Sequence, residues 1–232
     1  FYEEVEMSSL SDEKFREVLL KIDASKITAR LWSNICNRFC SSVKIRDNRY
    51  LKPRGRNYLF DCRDDHRLDG IISHLTKECG GSVHEKGIVE VTASSEINDS
   101  YQRAKNAVLF NDADNCFCSD NVKNSWLRYD FKKQKVRPTH YSIKSMPYGP
   151  YDHHPQHWVI EGSIDGEKWK ILDTRRDVKS LKKKSVTCTF EIQEKLEGNE
   201  FYQFLRIRQT GLNAANYNKL GFSCLEFFGS II

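Results

Sequence analysis

The chain has 232 residues, 39% hydrophobic and 30% charged, with a formal net charge of +5. That balance is ordinary for a globular chain, and no apolar run approaches the ~18 residues a membrane-spanning helix needs. The length suits one large domain, or a medium domain with a small one attached. A pI of about 8.7 is mildly basic, below the level of about 9 that marks nucleic-acid readers.

In chain order the first pattern is helical. Over residues 11–22, Phe15, Val18, Leu19 and Ile22 fall at i, i+3, i+4 and i+7, which predicts an amphipathic helix. Ser11 stands where an N-cap belongs, with Asp12 and Glu13 in the first turn, where the helix dipole favours acids. Ile27, Leu31, Ile35 and Phe39 predict a second helix over residues 25–39, antiparallel to the first. Two such helices cannot bury their own stripes and need a further surface. Residues 41–68 are polar and basic, with Pro53 and Gly55, and read as a linker. Residues 68–79 fit either a short helix stopped by Gly80-Gly81 or an entry strand.

From Gly87 the period changes to two. Val89, Val91 and Ala93 share a face, then Leu127, Tyr129 and Phe131, then Tyr141 and Ile143. From Trp158 the chain reads W-V-I-E-G-S-I-D-G-E-K-W-K-I-L-D. Asp165-Gly166 is the pair that supplies two positive φ angles to a tight type I′ hairpin turn. That register puts Trp169 and Ile171 on one face and Lys168, Lys170 and Leu172 on the other. Further on, Val186, Cys188, Phe190 and Ile192 alternate with Thr187, Thr189 and Glu191, and Leu205 and Ile207 with Arg206 and Arg208. Residues 225–228 close the pattern. Short period-two runs between polar turns predict an all-β sandwich. The basic runs, Lys132-Lys133-Gln134-Lys135, Arg175-Arg176 and Lys182-Lys183-Lys184, fall in turns and predict solvated loops. The eight cysteines include no C-x-x-C pair and no second half of a zinc site. They read as free thiols in a reducing, cytoplasmic compartment. With Phe1 rather than Met in first place, the sequence is expected to be a fragment of a longer protein.

Several of these strings resemble discoidin-like domains, the coagulation-factor 5/8 C-terminal type, which are galactose-binding-like jelly rolls. The hairpin from Trp158 resembles that family's core hairpin, and V-T-A-S-S around Ala93 resembles its first core strand. N-S-W-L-R-Y-D-F from Asn124 resembles the family's p-x-W-i-x-v-D-L. P-T-H-Y-S-I-K-S from Pro138, F-L-R-I-R-Q-T-G from Phe204 and the closing L-E-F-F-G follow in family order. Where the family commonly has A-x-D-G after the first strand, this chain has Ala107-Val108-Leu109-Phe110-Asn111, so no ligand role is carried to that loop. Cysteines that would join the domain's ends, as in secreted members, are absent at matching positions. L-W-S-N-I-C-N-R-F from Leu31 resembles the BACK-type helical segment that follows a BTB/POZ domain in adaptor chains. Chains with such helices before a discoidin-like domain look most like those of trichomonad-type protists. The resemblance implies a mainly β fold, a discoidin-like jelly-roll β-sandwich over residues 66–232, with a small N-terminal α-helical segment and linker over residues 1–65.

In jelly rolls of this kind ligands meet the loops at one end of a rigid frame. Here those are residues 96–106, 111–122, 146–157 and 211–219. The loop M-P-Y-G-P-Y-D-H-H-P-Q-H from Met146 is either a recognition loop or an insertion packed on its own domain. The candidate ligand-binding residues are Tyr148, Tyr151, His153, His154, Arg208, Asn216 and Tyr217. Adjacent His153 and His154 diverge on an extended strand, so with His157 they do not predict a shared metal. Asp112, Asp114 and Asp120, near Asn111, Asn115 and Asn121, offer oxygens for structural calcium. Their spacing is not that of an EF-hand, and such residues form turns anyway; no metal or cofactor is expected. Arg206 and Arg208 either grip a carboxylate, phosphate or sugar hydroxyl, or pair across strands with acidic neighbours.

No G-x-S-x-G, H-E-x-x-H or P-loop is present, and no enzyme is expected. The expected function is a non-catalytic binding module of an intracellular multidomain scaffold or adaptor. It docks a protein partner or assembly, the cytoskeleton among them, through the loop end. The alternative is a carbohydrate-binding module using Tyr148, Tyr151, Tyr217, Arg208 and Asn216. A BTB-like domain outside this sequence would make it a homo-oligomer. Nucleic acid is not expected, and Phe117, Leu212 and Tyr217 are thin support for membrane-surface binding.

Overall fold

The computed structural model describes residues 10–23, 27–28, 31–32, 35, 67–110, 115–147, 153–196 and 200–232. The chain forms two compact units, Phe1–Lys52 and Pro53–Ile232, each described by itself.

In the first unit the predicted helix is α1, Asp12–Lys21, with Ser11 as its N-cap. The Ser11 hydroxyl accepts from the Lys14 N–H at 3.4 Å, satisfying a donor that the helix itself cannot. Phe15, Leu31 and Ile35 are buried together, and Val18, Leu19 and Ile22 pack against them. The two stripes therefore meet as their spacing predicts. Leu31, Trp32 and Ile35 are helical; Phe39 and the linker lie outside the described residues.

The second unit is a two-layer β-sandwich. Helix α2, Ile71–Cys79, enters it and stops at Gly80, whose φ of 66° is the left-handed cap the sequence signals. The strands are β1 (Glu90–Ala93), β2 (Phe117–Cys118), β3 (Trp126–Asp130), β4 (Val136–Lys144), β5 (Trp158–Ser163), β6 (Lys170–Arg175), β7 (Thr187–Glu191), β8 (Phe204–Gln209), β9 (Gly221–Phe222) and β10 (Cys224–Ile231). Their pairings are antiparallel. One sheet has the order β1-β3-β8-β5-β6, the other β10-β4-β7, and β2-β9 forms a short ribbon. Each discoidin-like string occupies a strand in the expected order, so the mainly β sandwich with a small helical lead-in is the fold that forms.

The core lies between the sheets. Leu127, Tyr129, Trp158, Ile160, Leu205 and Ile207 from one meet Tyr141, Ile143, Leu225 and Phe227 from the other, all fully buried. Tyr129 and Phe227 meet edge to face at 5.4 Å, and Trp158 and Phe190 at 5.3 Å, geometries that favour the ring quadrupoles. A polar knot is set into this layer. The Trp158 indole N–H donates to the Tyr141 hydroxyl at 2.9 Å, and that hydroxyl donates to Asp173 at 2.5 Å. Arg175 holds the same carboxylate oxygen at 2.7 Å.

The hairpin from Trp158 departs from its expected geometry. Asp165 is not among the positive-φ residues, whereas Gly166 is, at 78°. The connection spans the residues between Ser163 and Lys170 rather than two. Asp165 Oδ1 accepts from the N–H groups of Glu167 at 2.9 Å and Lys168 at 2.8 Å, and the Ser163 hydroxyl from Gly166 at 2.9 Å. These side-chain bonds build a wide loop in place of a tight turn. Pairing then slips, from Ile160 opposite Asp173 to Glu161 opposite Ile171. Leu172 is the extra residue of a bulge; it is 1% exposed and Ile171 50%, so the two do lie on opposite faces, with Leu172 on the core side.

Helix α2 packs against β10, an edge strand. The join is Glu226, fully buried. Its carboxylate accepts the N–H groups of Gly70 at 3.2 Å, Ile72 at 2.8 Å, Ser73 at 2.9 Å and Phe227 at 2.8 Å. One side chain thus caps the start of a helix and an unpaired strand-edge donor together. Gly70 is required by close approach: a Cβ there would sit 2.4 Å from the Phe227 carbonyl oxygen.

Candidate functional site

The loops expected to form the ligand end do converge. Ser95 accepts from Asp120 N–H at 3.1 Å, and Asn121 from Asn218 N–H at 2.7 Å. The backbone of Cys116 bonds Tyr101, Thr210 bonds His157, and Ala214 bonds His154. Ribbon β2-β9 staples the base: Ser119 and Leu220 exchange bonds just beyond it. The described parts of all four loops therefore share one rim.

Asn213 organises the last of these loops. It is 1% exposed. Its carbonyl oxygen accepts from the Ala215 and Tyr217 N–H groups, each at 3.0 Å, and its amide donates to the Lys219 carbonyl at 3.0 Å. The loop is folded around one buried amide, with Asn216 at a φ of 62° at its tip. That position favours asparagine over most residues. Replacing Asn213 with alanine leaves these groups unpaired. The expected result is a loss of about 1–3 kcal/mol of stability, with faster amide exchange at residues 214–219 as the local signature.

Of the sequence candidates, His153, Asn216 and Tyr217 are brought together. The rings of His153 and Tyr217 meet edge to face at 5.7 Å, and Tyr217 is 41% exposed. His154 is 4% exposed and belongs to the loop's foundation. The histidines diverge: His157 accepts from Asp177 N–H at 3.3 Å on another side of the loop. Tyr148, Tyr151, Asp112 and Asp114 lie outside the described residues. Among the described residues no group of three or more His, Cys, Asp or Glu side chains is poised for a metal. Buried thiols line the base of the rim. Burial pushes Cys118 and Cys224 up to about 12, so neither thiolate is accessible near neutrality.

Arg208 is placed elsewhere, on the outward face of the five-stranded sheet. Its guanidinium holds Glu161 through two bonds, at 3.1 and 2.7 Å, and Arg206 takes the same carboxylate at 2.6 Å. Burial alone would raise the Glu161 carboxyl, but the two guanidiniums outweigh it and hold the group below its usual range. Of the two readings open for Arg208, the cross-strand acidic pairing is the one the geometry displays.

Sequence reasoning missed part of the rim. Tyr101 is 58% exposed and Val122 55%, beside Leu212 at 44%, which the sequence offered only as thin support for a membrane surface. Tyr101 lies within a 3-10 turn capped by Asp99, and Val122 sits among turn residues. Neither had a period to betray it.

No family model matches the chain. Among curated proteins it is similar to the E3 ubiquitin-protein ligase Ufd4 of Drosophila melanogaster, at 28% identity over 213 residues, 89% of this chain and 8% of that protein. It is also similar to the E3 ubiquitin-protein ligase hecd-1 of Caenorhabditis elegans, at 32% identity over 120 residues, 51% of this chain and 4% of that protein. The chain thus spans under a tenth of either relative. Among solved structures it is similar to a Clostridium perfringens module, CpGH89CBM32-5, in complex with GalNAc-beta-1,3-galactose, with a TM-score of 0.48 and 12% identity over 62% of this chain and 97% of that one. A fucolectin from Morone saxatilis serum gives a TM-score of 0.48 at 14% identity, over 61% of this chain and 47% of that one.

Proposed function

We propose that this chain is a non-catalytic recognition module of a larger multidomain protein, docking a protein partner through the loop end of its sandwich. One observation carries the reading. Tyr101, Val122, Leu212 and Tyr217 are exposed large hydrophobics, and all four ride on the converging loops. Exposed apolar groups gathered on a rigid rim mark contact surfaces, and aliphatic Val122 and Leu212 suit a protein more than a sugar. The similarity to short stretches of two much longer ubiquitin ligases supports a module within a larger chain. In such a setting it would hold a protein for the rest of the chain to act on. The buried free thiols suit a reducing, cytoplasmic setting, and the helical lead-in suits attachment to a preceding oligomerising domain.

The test is capture of partners from a lysate by the immobilised chain, compared with Tyr217→Ala and Leu212→Ser. Specific partners lost in both variants, with unchanged thermal midpoints, support the reading. Partners retained in full by both variants overturn it. A second reading, glycan binding, is favoured by the His153–Tyr217 ring pair beside Asn216, an aromatic platform with a planar polar group. Glycan-array binding abolished by Tyr217→Ala would select it instead.

A further inference from the structure

The outward face of the five-stranded sheet carries an arrangement that the loop end does not use. Strand register places Thr92, Arg128, Arg206, Glu161 and Ile171 in one row across β1, β3, β8, β5 and β6. Trp126 and Arg208 form the next row, with Asp130 and Phe204 on the other side. Arg128 and Arg206 are therefore directly opposite on neighbouring strands about 4.8 Å apart. Like charges so placed destabilise a sheet unless something neutralises them.

The described carboxylates leave this pair under-neutralised. Glu161 is committed to Arg206 and Arg208. Asp130 is taken by Lys132 and Gln203, and Glu90 by Lys132. Arg128 has only the Thr92 hydroxyl, at 3.2 Å from its Nε, and no carboxylate partner among the described residues. Aromatic rings hold the guanidiniums instead. Arg206 lies 3.8 Å from the Trp169 ring centroid, and Arg128 lies 5.7 Å from those of both Trp126 and Phe204. Ring contact holds a guanidinium by its face and leaves the donors of its edge for hydrogen bonds.

We propose that this face is a second docking surface, for an acidic protein segment whose carboxylates bind the outer edges of Arg128 and Arg206. The fork of donors on each arginine matches a carboxylate in a bidentate fashion. Charge complementarity also selects against a polyphosphate. A nucleic-acid backbone crossing the face would meet Glu90 and Asp130 at one margin and Glu161 within it. An extended acidic segment can set one or two carboxylates over the Arg128–Arg206 pair and turn its other side chains away. Partly exposed Trp126 and Phe204 give its apolar stems a bed, and Ile171 gives a further apolar contact at the far strand.

The test uses the whole chain and a labelled oligoglutamate peptide, followed by fluorescence anisotropy at low salt. The peptide is expected to bind, to weaken as salt screens the contact, and to bind about tenfold more weakly or worse to Arg128→Gln. Arg128→Lys, which keeps the charge and loses the fork, should restore only part of the affinity. Neutralising Lys182, Lys183 and Lys184 together should leave binding within about twofold, since solvated loop charges contribute little. An independent measurement needs no variant. The Trp126 and Trp169 indole resonances should shift on titration while buried Trp158 stays still. No binding at low salt, full affinity in Arg128→Gln, or shifts confined to residues off this face would overturn the proposal. So would an oligothymidylate that binds more tightly than the peptide and loses that binding in Arg128→Gln.

Discussion

Replacing Glu226 with alanine is expected to cost about 3–5 kcal/mol of folding stability, read as a lower denaturant midpoint with an unchanged slope. The size follows from what one side chain does. Four buried N–H donors, on Gly70, Ile72, Ser73 and Phe227, all point at it. Removing the carboxylate takes away the acceptor that all four share and uncouples α2 from β10. Glu226→Gln is the sharper probe. Its amide nitrogen must face donors, so it loses part of the same stability. It also loses the titration. Burial is the largest influence on the carboxyl and pushes it up to about 7 from an ordinary 4.5, the four donors opposing. The titratable neighbours, Tyr129 and Cys224, are themselves pushed up by burial and stay neutral. Between pH 4.5 and 7 the folded state keeps a proton that the unfolded chain has released. Stability from this group is therefore full below about pH 4.5 and falls as pH rises through about 7, by at most about 3 kcal/mol. The wild-type chain should show that decline, and Glu226→Gln should lack this component of it. Parallel profiles for the two would mean that the carboxylate is charged throughout.

Asp173→Ala is expected to cost a similar amount, about 3–5 kcal/mol. Its side chain is fully buried where the Tyr141 hydroxyl and the Arg175 guanidinium converge. Without it a partly buried cation loses its counter-charge and a buried hydroxyl its acceptor. Burial first, and then the Asp173 charge, push Tyr141 well above the usual tyrosine range, so the hydroxyl remains a donor throughout the accessible pH. Asp173→Asn retains an acceptor for Tyr141 and removes only the charge facing Arg175, so it should fall between wild type and alanine. Tyr141→Phe removes the hydroxyl that Trp158 donates to, and should lose less still. Losses that add up across Asp173→Ala and Tyr141→Phe in the double variant would show that the knot is not one unit.

How much of this was legible beforehand depended on the range of the interaction that fixes each feature. The α1 stripe and Ser11 cap are local, and the sequence states them outright. The period-two faces of β3, β8 and β10 are nearly as plain, because alternation survives wherever a strand has one buried side. Features decided by distant partners were not. Glu226 sits in L-E-F-F-G as an ordinary outward polar residue; it is buried because a helix some 150 residues upstream docks on it. Glu161 carries no sign that Arg206 and Arg208 will share it. Asp165-Gly166 promised a tight turn, yet Ser163 and Asp165 offered the backbone competing bonds. The resulting slip leaves Leu172 opposite no partner, which alternation alone does not signal. Ribbon β2-β9 has two residues per strand, too few for any period. Within the site, His153, Asn216 and Tyr217 were readable from composition, while Asn213, which positions them, looked like any loop asparagine.

The strand order also sets when this protein can become itself. β8 lies between β3 and β5, so the larger sheet stays split until residues 204–209 have followed both of its neighbours out of the ribosome. The first helix of the sandwich waits longer, because its anchor is on the final strand. A nascent chain must therefore carry unpaired edges until β8 has been made, and pairing between segments so far apart is slow. Folding should be rate-limited by closure around β8 and vulnerable to aggregation before that point, which makes cellular yield more sensitive to chaperone supply than to small changes in equilibrium stability.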